Sequence, residues 1–580
     1  MTSPRETPAE RTADVVVVGA GAAGHVAALR AREAGRSVVL LEAGDEPGGT
    51  TRRSSGGYWV PNNSHMRARG LTDPEPDAIR YMARVGYPSL FDDDHPTFGL
   101  DPRDHQLLRT LYATTTEAVD WLAERGHLRS TEMVGYNGVK GEFPSYQDLP
   151  EFDRAPYGRH LGPEYTEESA EAAKHDTSRA QGHVAPTAGT QGDGRELWAQ
   201  LDAAVRREGV ELLTRHRARR LLTDDDGAVI GVLADTPDGP VRFSAVSVVA
   251  TTGGFSQDVA LSAEHLRGPI YGTAAVPTGV GDLLRMTADL DVELGNVENA
   301  WWAQVPLEPA LQRRNMDWLA FVPYGDSMVI VDREGDRVVN EKDIYDRRSR
   351  AHFLGGPEAG WPNRVLMMIY DEGVARDELD WQPRWPVPLP DGRLSVRASD
   401  IDERELPISG DTLEELAANV RARLAALAEG TDGFDLAPGF ADRLAETIAR
   451  FDDFAHAGKD EDFGRGETPV ELGFNGPGRP GSVNPTMAPF RPEGPYHCIL
   501  LGAGTLDTKG GPRIDPQARV LRSDGTPIPG LFGAGNCVAE PTGEGYFSGG
   551  ATLGAAIAFG WLAGTGAAAR TSDAVAHAAG

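Results

Sequence analysis

The string DVVVVGAGAAG, Asp14 to Gly24, decides how this chain is read. Its four consecutive valines, Val15 to Val18, describe a strand buried on both faces, the pattern of a parallel sheet. Gly19, Gly21 and Gly24 follow at once, and an alanine-rich stretch from His25 to Ala34 predicts a helix that stops near Gly35. A second apolar run, SVVLLE from Ser37 to Glu42, predicts the next strand, with an acid at its end. A lone G-x-G-x-x-G carries little weight. Between a strand and a helix, with an acid about 20 residues further on, it points to a bound dinucleotide. The glycines permit the tight turn and let the backbone approach a pyrophosphate. The helix N-terminus offers N–H groups and the positive end of a dipole to the phosphates, and Ala22 and Ala23 are expected among the cofactor-binding residues. Glu42, followed by Ala43, can accept hydrogen bonds from a ribose diol.

Working outward, Gly48, Gly49, Thr50 and Thr51 form a second glycine-containing loop, and Ser55, Gly56 and Gly57 close it. A loop of this kind just after the ribose acid suits FAD, whose longer body runs on past the pyrophosphate; NAD alone does not need it. Residues 70–190 read as helical pieces, including His105 to Glu124, joined by long polar loops. Gly194 to Glu208 predicts an amphipathic helix. Strands are expected over Val210–Leu222, Val229–Ala234 and Val241–Ala250, the last leading into Thr251, Gly253 and Gly254. From about 280 to 480 the text changes to alternating helical, tryptophan-rich and proline-rich stretches. It then returns to strands and turns, ending in GLFGAGN (Gly530–Asn536) and an apolar stretch. The fold class expected is α/β, a Rossmann-like FAD-binding domain with an inserted α+β substrate (capping) domain. Its parts are 1–280 (FAD-binding, first part), 281–490 (insertion) and 491–580 (FAD-binding, C-terminal return).

Composition narrows the function. The 580 residues carry a formal charge of −30, which would repel phosphate backbones and excludes nucleic acid as a general partner. Cys498 and Cys537 are the two cysteines, too few for a disulfide scaffold or a cysteine metal site, so a reducing, cytoplasmic setting is expected. The polar N-terminus lacks the apolar core of a signal peptide. Residues Gly545 to Ala569 hold no formal charge and are long enough to span a bilayer, but seven of them are glycine, so a helix buried against a cofactor is expected rather than a transmembrane segment. No metal site is expected. His497 and Cys498 read as core residues, and Glu341, Asp343 and Asp346 as a solvated acidic loop. Trp301 and Trp302 fit either the core or an apolar substrate pocket.

Together, the N-terminal unit, the Thr251–Gly254 run, the pair Gly510 and Gly511, and Gly533–Asn536 resemble the flavoprotein family of fumarate reductases and 3-ketosteroid dehydrogenases. The stretches TKGGPRID (Thr508–Asp515) and Gly48 to Asn63 look like the ketosteroid dehydrogenase branch. That resemblance implies three tyrosines in set contexts. FPSY (Phe143–Tyr146) is similar to the branch's Phe-Pro-Asp-Tyr, NEKDIY (Asn340–Tyr345) matches its second motif, and YFSGG (Tyr546–Gly550) its third. The fumarate reductase branch places arginines where Tyr345 and Tyr546 stand, and a histidine that Gln304-Val305-Pro306 does not supply. A phenol cannot provide the bidentate fork a carboxylate wants, so a dicarboxylate substrate is disfavoured.

The implied chemistry is desaturation beside a ring ketone, with a 3-ketosteroid at C1–C2 as the expected substrate. Tyr546 O–H and the Gly550 N–H form an oxyanion site, Gly550 being chosen because a side chain would block the substrate. Tyr345 is the base for the α proton, assisted by Tyr146, and the β hydride passes to flavin N5. The helix N-terminus near Thr552, with Ala551 and Leu553, points its positive end at the flavin; with Gly535 and Asn536 these residues complete the expected cofactor set. The Thr50–Gly57 text holds no histidine for covalent flavin attachment, implying non-covalent FAD. An external acceptor such as a quinone takes the electrons. The serine in Tyr546-Phe547-Ser548 also resembles the Δ4(5α)-dehydrogenases, which leaves the bond desaturated open. Rival readings are an ene-reductase running the reverse reaction and a flavin-binding electron-transfer subunit.

Overall fold

The computed structural model describes residues 9–570 apart from 136–138, 146–156, 176–186, 317–318, 320–322, 324, 377–386, 389–393, 396–405, 476–477 and 480. The valine run becomes the centre of an eight-stranded sheet. The first strand (Ala9–Val18) lies parallel to the second (Val38–Leu41), in the register Val15↔Val38 to Val18↔Leu41. On its other side it lies parallel to Gly239–Ala250, which ends with Val18 opposite Ala250. Pro527–Gly533 adds a further parallel strand beside Gly239–Ala250. Val15, Val16 and Val17 are completely buried, as a strand covered on both faces demands.

The helix after the first strand spans Ala22–Glu33, starting earlier than expected because Gly21 already serves as its cap. It packs on the C-terminal helix (Ala551–Ala569) through small residues. A Cβ on Gly560 would lie 2.6 Å from Ala23 O, and one on Gly564 would lie 2.4 Å from Ala27 O. This is the physical reason for the glycines in the uncharged stretch: they let two helices touch backbone to backbone. Among the described residues that helix is the one long and apolar enough to cross a membrane, and 72% of its apolar window is buried within the protein. The strand expected over 210–222 is two strands, Glu211–Leu213 and Arg217–Thr223. Arg215, at φ 56°, turns the chain between them, so the first pairs with Val38–Leu41 and the second with Val229–Thr236.

By compactness the chain forms two units: residues 1–261, 275–300 and 507–580, and residues 262–274 and 301–506. The insertion expected at 281–490 differs from the second unit because strand pairing, which no local composition reveals, assigns the boundary residues. The strand Tyr496–Thr508 is central to the second unit's six-stranded sheet, pairing antiparallel with Val365–Asp371 and with Ile408–Gly410. Its core lies on both faces. Val329, Val331, Met367 and Ile369 pack with the helices Leu413–Ala426 and Phe440–Ala457, while Met328, Ile330, Leu366 and Met368 form a second cluster. The alternation is the two-residue period of strands buried on both sides.

Candidate functional site

Each glycine of the N-terminal motif has a distinct physical role. Gly19 has φ 105°, and a Cβ there would lie 2.2 Å from Thr251 O; one on Gly24 would lie 1.9 Å from Gly19 O. Both are therefore required by the protein's own packing. Gly21 is not: its φ is −82°, and a Cβ would meet only Thr51 Oγ1, at 3.6 Å. Space is left open where the backbone would approach a ligand. Gly49 borders the same space, its Cβ position 4.0 Å from Gly21 Cα, and a Cβ on Gly535 would find Ala23 Cβ at 3.5 Å. A cradle of this shape at a helix N-terminus fits a pyrophosphate.

One expectation at this end changes. The Ala22 N–H is not free for a phosphate, because it donates to Thr51 Oγ1 at 3.0 Å; Thr51 secures the helix start. Glu42 is buried, and its carboxylate already accepts from Ala20 N–H at 3.0 Å and Gly44 N–H at 2.8 Å. Those bonds orient it and leave its remaining lone pairs for a diol. Ala43 follows it, half-buried. Gly48 N–H donates to Ala20 O at 2.8 Å, and Thr50 Oγ1 accepts from Val276 N–H at 3.3 Å. Gly56, at φ 77°, presses on Asp193, whose carboxylate caps the helix Gly194–Arg207, while Ser55 is exposed.

One organising residue escaped sequence reading. Asp507 is buried, and its carboxylate accepts from Gly254 N–H (3.0 Å), Ser256 Oγ (2.8 Å), Thr508 N–H (2.8 Å) and Asn536 Nδ2 (3.1 Å). It ties the Thr251–Gly254 turn to the Gly535–Asn536 turn. Burial pushes its carboxyl up from the ordinary range against the pull of these donors. Gly253 has φ 72°, and Thr251 Oγ1 donates to Gly19 O at 2.8 Å. The adjacency of Asp507 to the TKGG motif was the available signal.

A model of FAD binding domains matches residues 14–553, nearly the whole chain. The chain belongs to this FAD-binding family. It binds FAD and is a flavin-dependent oxidoreductase of the dehydrogenase type acting on CH–CH groups. Within the family it is 30% identical over 587 residues to a 4-oxocyclohexanecarboxylate 2-dehydrogenase of Sinomonas cyclohexanicum, covering 95% of this chain and 92% of that protein. It is 29% identical over 600 residues to a 3-oxosteroid 1-dehydrogenase of Mycolicibacterium smegmatis (strain ATCC 700084 / mc(2)155), covering 95% and 96%. Its fold is similar to that of a 3-ketosteroid delta1-dehydrogenase from Sterolibacterium denitrificans solved with 1,4-androstadiene-3,17-dione. The TM-score is 0.76 at 22% identity, over 97% of this chain and 100% of that one.

The family's FAD-binding unit also carries Tyr546 and Gly550. Tyr546 is buried. Gly550 caps the C-terminal helix at φ 86°, and its carbonyl accepts from Trp59 N–H at 3.0 Å. A Cβ on Gly550 would lie 2.7 Å from Gly57 O and 2.8 Å from Tyr58 Cα. The fold itself demands this glycine, through the left-handed cap and the contact with residues 57–58. Ala551 and Leu553 are buried in the helix it opens. Ser548 Oγ lies 2.6 Å from Nε2 of the buried His160.

Tyr345 lies in the second unit, buried at the start of the short helix Tyr345–Ser349. The Asn340–Glu341 text before it is anchored by charge. Glu341 accepts from Arg337 Nε (2.9 Å) and Nη2 (2.8 Å) and from Arg465 Nη1 (3.0 Å), while Arg337 also reaches Asp460 at 3.0 Å. Burial raises the Glu341 carboxyl, but Arg337 and Arg465 outweigh it and hold it below its ordinary range. Lys342 is buried, donating to Pro323 O at 2.7 Å, and burial pushes its ammonium well down. The solvated acidic loop expected here is therefore wrong for Glu341 and Asp346, both buried; Asp346 accepts from Arg350 at 2.8 Å. Gln304 is buried between Arg348 (2.6 Å) and His352 (3.1 Å). Trp301 and Trp302 are completely buried, Trp302 with its ring 4.7 Å from that of Phe353. Tyr146 lies outside the described residues. Cys498 and Cys537 are free and buried. Among the described residues no group of three His, Cys, Asp or Glu could hold a metal.

Proposed function

We propose that this enzyme introduces a C=C bond next to a ring ketone, with a 3-ketosteroid desaturated at C1–C2 as its substrate and an external acceptor such as a quinone. The observation that carries the reading is the presence of phenols, Tyr345 and Tyr546, where the resemblance places the guanidinium groups that hold a dicarboxylate in the fumarate reductase branch. Gly21, Glu42, Gly49 and Gly535 are proposed to hold non-covalent FAD, which supplies the two-electron acceptor for the β hydrogen. The Tyr345 phenolate takes the α proton. The reference pKa of a phenol is near 10, so it needs help near neutrality, assigned to Tyr146 as a hydrogen-bond donor. Tyr546 O–H and the Gly550 N–H donate to the ketone oxygen as charge grows on it. The free thiols favour a cytoplasmic setting.

The Sinomonas relative favours a second reading, a smaller ring ketone bearing a carboxylate. Anaerobic mixing with a saturated 3-ketosteroid and with 4-oxocyclohexanecarboxylate separates the two by which one bleaches the flavin, and NMR of the product locates the new bond. Neither compound bleaching it would overturn the reading; enone-driven reoxidation outpacing ketone-driven reduction would favour an ene-reductase. Replacing Tyr345 by Phe is expected to slow bleaching by roughly 100-fold or more, the size of a lost general base; an unchanged rate removes Tyr345 from that role.

A further inference from the structure

The segment Pro541–Phe547, which carries Tyr546, has no regular secondary structure, yet its backbone is held at every second carbonyl. Tyr87 O–H donates to Pro541 O at 3.0 Å, and Asn296 Nδ2 to Gly543 O at 2.9 Å. Lys509 Nζ donates to Gly545 O at 2.5 Å, and Tyr81 O–H to Phe547 O at 2.6 Å. Amides are fixed as well: Gly543 N–H on Glu540 O at 3.3 Å, Glu544 N–H on Gly86 O at 2.8 Å and, just before the segment, Glu540 N–H on Lys509 O at 3.0 Å. A Cβ on Gly545 would lie 1.9 Å from Val85 O, so the segment has no room to shift on that side.

Of the four side-chain donors only Lys509 is charged. It is completely buried, and it grips the carbonyl directly before Tyr546. A charge-assisted bond is stronger than its neutral neighbours, and a buried ammonium is costly to place where an uncharged donor would suffice. Nearby Glu540 is also buried, with Oε1 unpartnered; burial pushes its carboxyl up to about 8 against the opposing field of Lys509.

We propose that Lys509 is a positioning residue that holds Tyr546 in its reactive placement. The proposal rests on the reading of Tyr546 as a donor to the ketone oxygen. A displacement of about 1 Å at a reacting group can cost on the order of 100-fold in rate, so loss of the clamp should act on the chemical step rather than on binding.

The test is a double-mutant cycle with Lys509→Met and Tyr546→Phe. Anaerobic flavin bleaching is followed with whichever of a saturated 3-ketosteroid or 4-oxocyclohexanecarboxylate reduces the wild-type protein. Lys509→Met is expected to retain FAD, to bleach roughly 10–100-fold more slowly, and to keep its half-saturating ketone concentration within about threefold. The double variant should be no slower than Tyr546→Phe alone, because the clamp has no phenol left to place. Full-rate bleaching in Lys509→Met, or losses that multiply in the double variant, overturns the role of Lys509 and leaves that of Tyr546 standing. Full-rate bleaching in Tyr546→Phe overturns both. Should Lys509→Met fail to retain FAD, Tyr81→Phe, which releases the carbonyl directly after Tyr546, takes its place in the cycle. Additive losses there overturn the clamp, and non-additive ones support it.

Discussion

The cofactor cradle of the first unit and the Tyr345 segment of the second are both buried, but they are built on opposite principles. The cradle is made of backbone: Gly19, Gly24 and Gly560 let main chains meet at distances no side chain would permit. The Tyr345 segment is made of charge, with Arg337, Glu341, Asp460 and Arg465 converging from well-separated parts of the sequence. The difference teaches where each region should be fragile. Backbone contact tolerates no added atom but carries no desolvation debt. A buried ion cluster is neutral as a whole and severe when one member is removed.

The largest effect should come from breaking the charged region. Arg465 is fully buried and donates to Glu341 and to Met328 O. Arg465→Met is expected to cost about 3–5 kcal/mol in denaturant unfolding. A loss below about 1 kcal/mol would show that the network has relaxed and that the comparison is wrong.

Next in size is a pH effect in the first unit. Burial, with Arg159 adding to it, pushes the His160 imidazole from its ordinary 6.5 down to about 3. The folded chain keeps His160 neutral, whereas the unfolded chain takes up a proton once pH falls below 6.5. Its contribution is therefore intact above that value and is lost as pH falls toward about 3. Melting temperatures measured from pH 7 down to 4 should fall further in the wild type than in His160→Asn, and parallel falls would remove His160 as the cause.

The smallest change sharpens the comparison within the cradle itself. Gly21→Ala adds a methyl group where only Thr51 Oγ1 lies near. FAD affinity should fall by roughly tenfold, about 1.4 kcal/mol, while the apo protein melts unchanged. Unaltered affinity, measured by flavin fluorescence, would mean that the open space beside Gly21 is not where the pyrophosphate lies.

The cradle was legible because its determinants are local. Gly19, Gly21, Gly24 and Glu42 lie within one strand–helix–strand unit, and the residue types alone state that backbone comes close. Even so, the partner of the Ala22 N–H, the side chain of Thr51, could not be read, since nothing in the spacing says which loop folds over the helix start. In the second unit the adjacent acids Glu341, Asp343 and Asp346 suggest solvent when read in line. Arg465 buries the first of them from more than a hundred residues away. Asp507 was missed for a similar reason: its place beside the TKGG motif marks it out among 87 acids, but not the four donors that surround it, which come from separate parts of the chain.

By itself, the order of residues determined the parallel strands, the glycine-rich turn after the first of them and the apolar C-terminal helix. These follow from short-range rules of period, chirality and side-chain size. Only tertiary structure decided which charges share a dry interior, which glycines serve packing and which leave space, and which side chains hold the segment bearing Tyr546. Those outcomes depend on groups brought together by burial, and burial is a property of the whole fold.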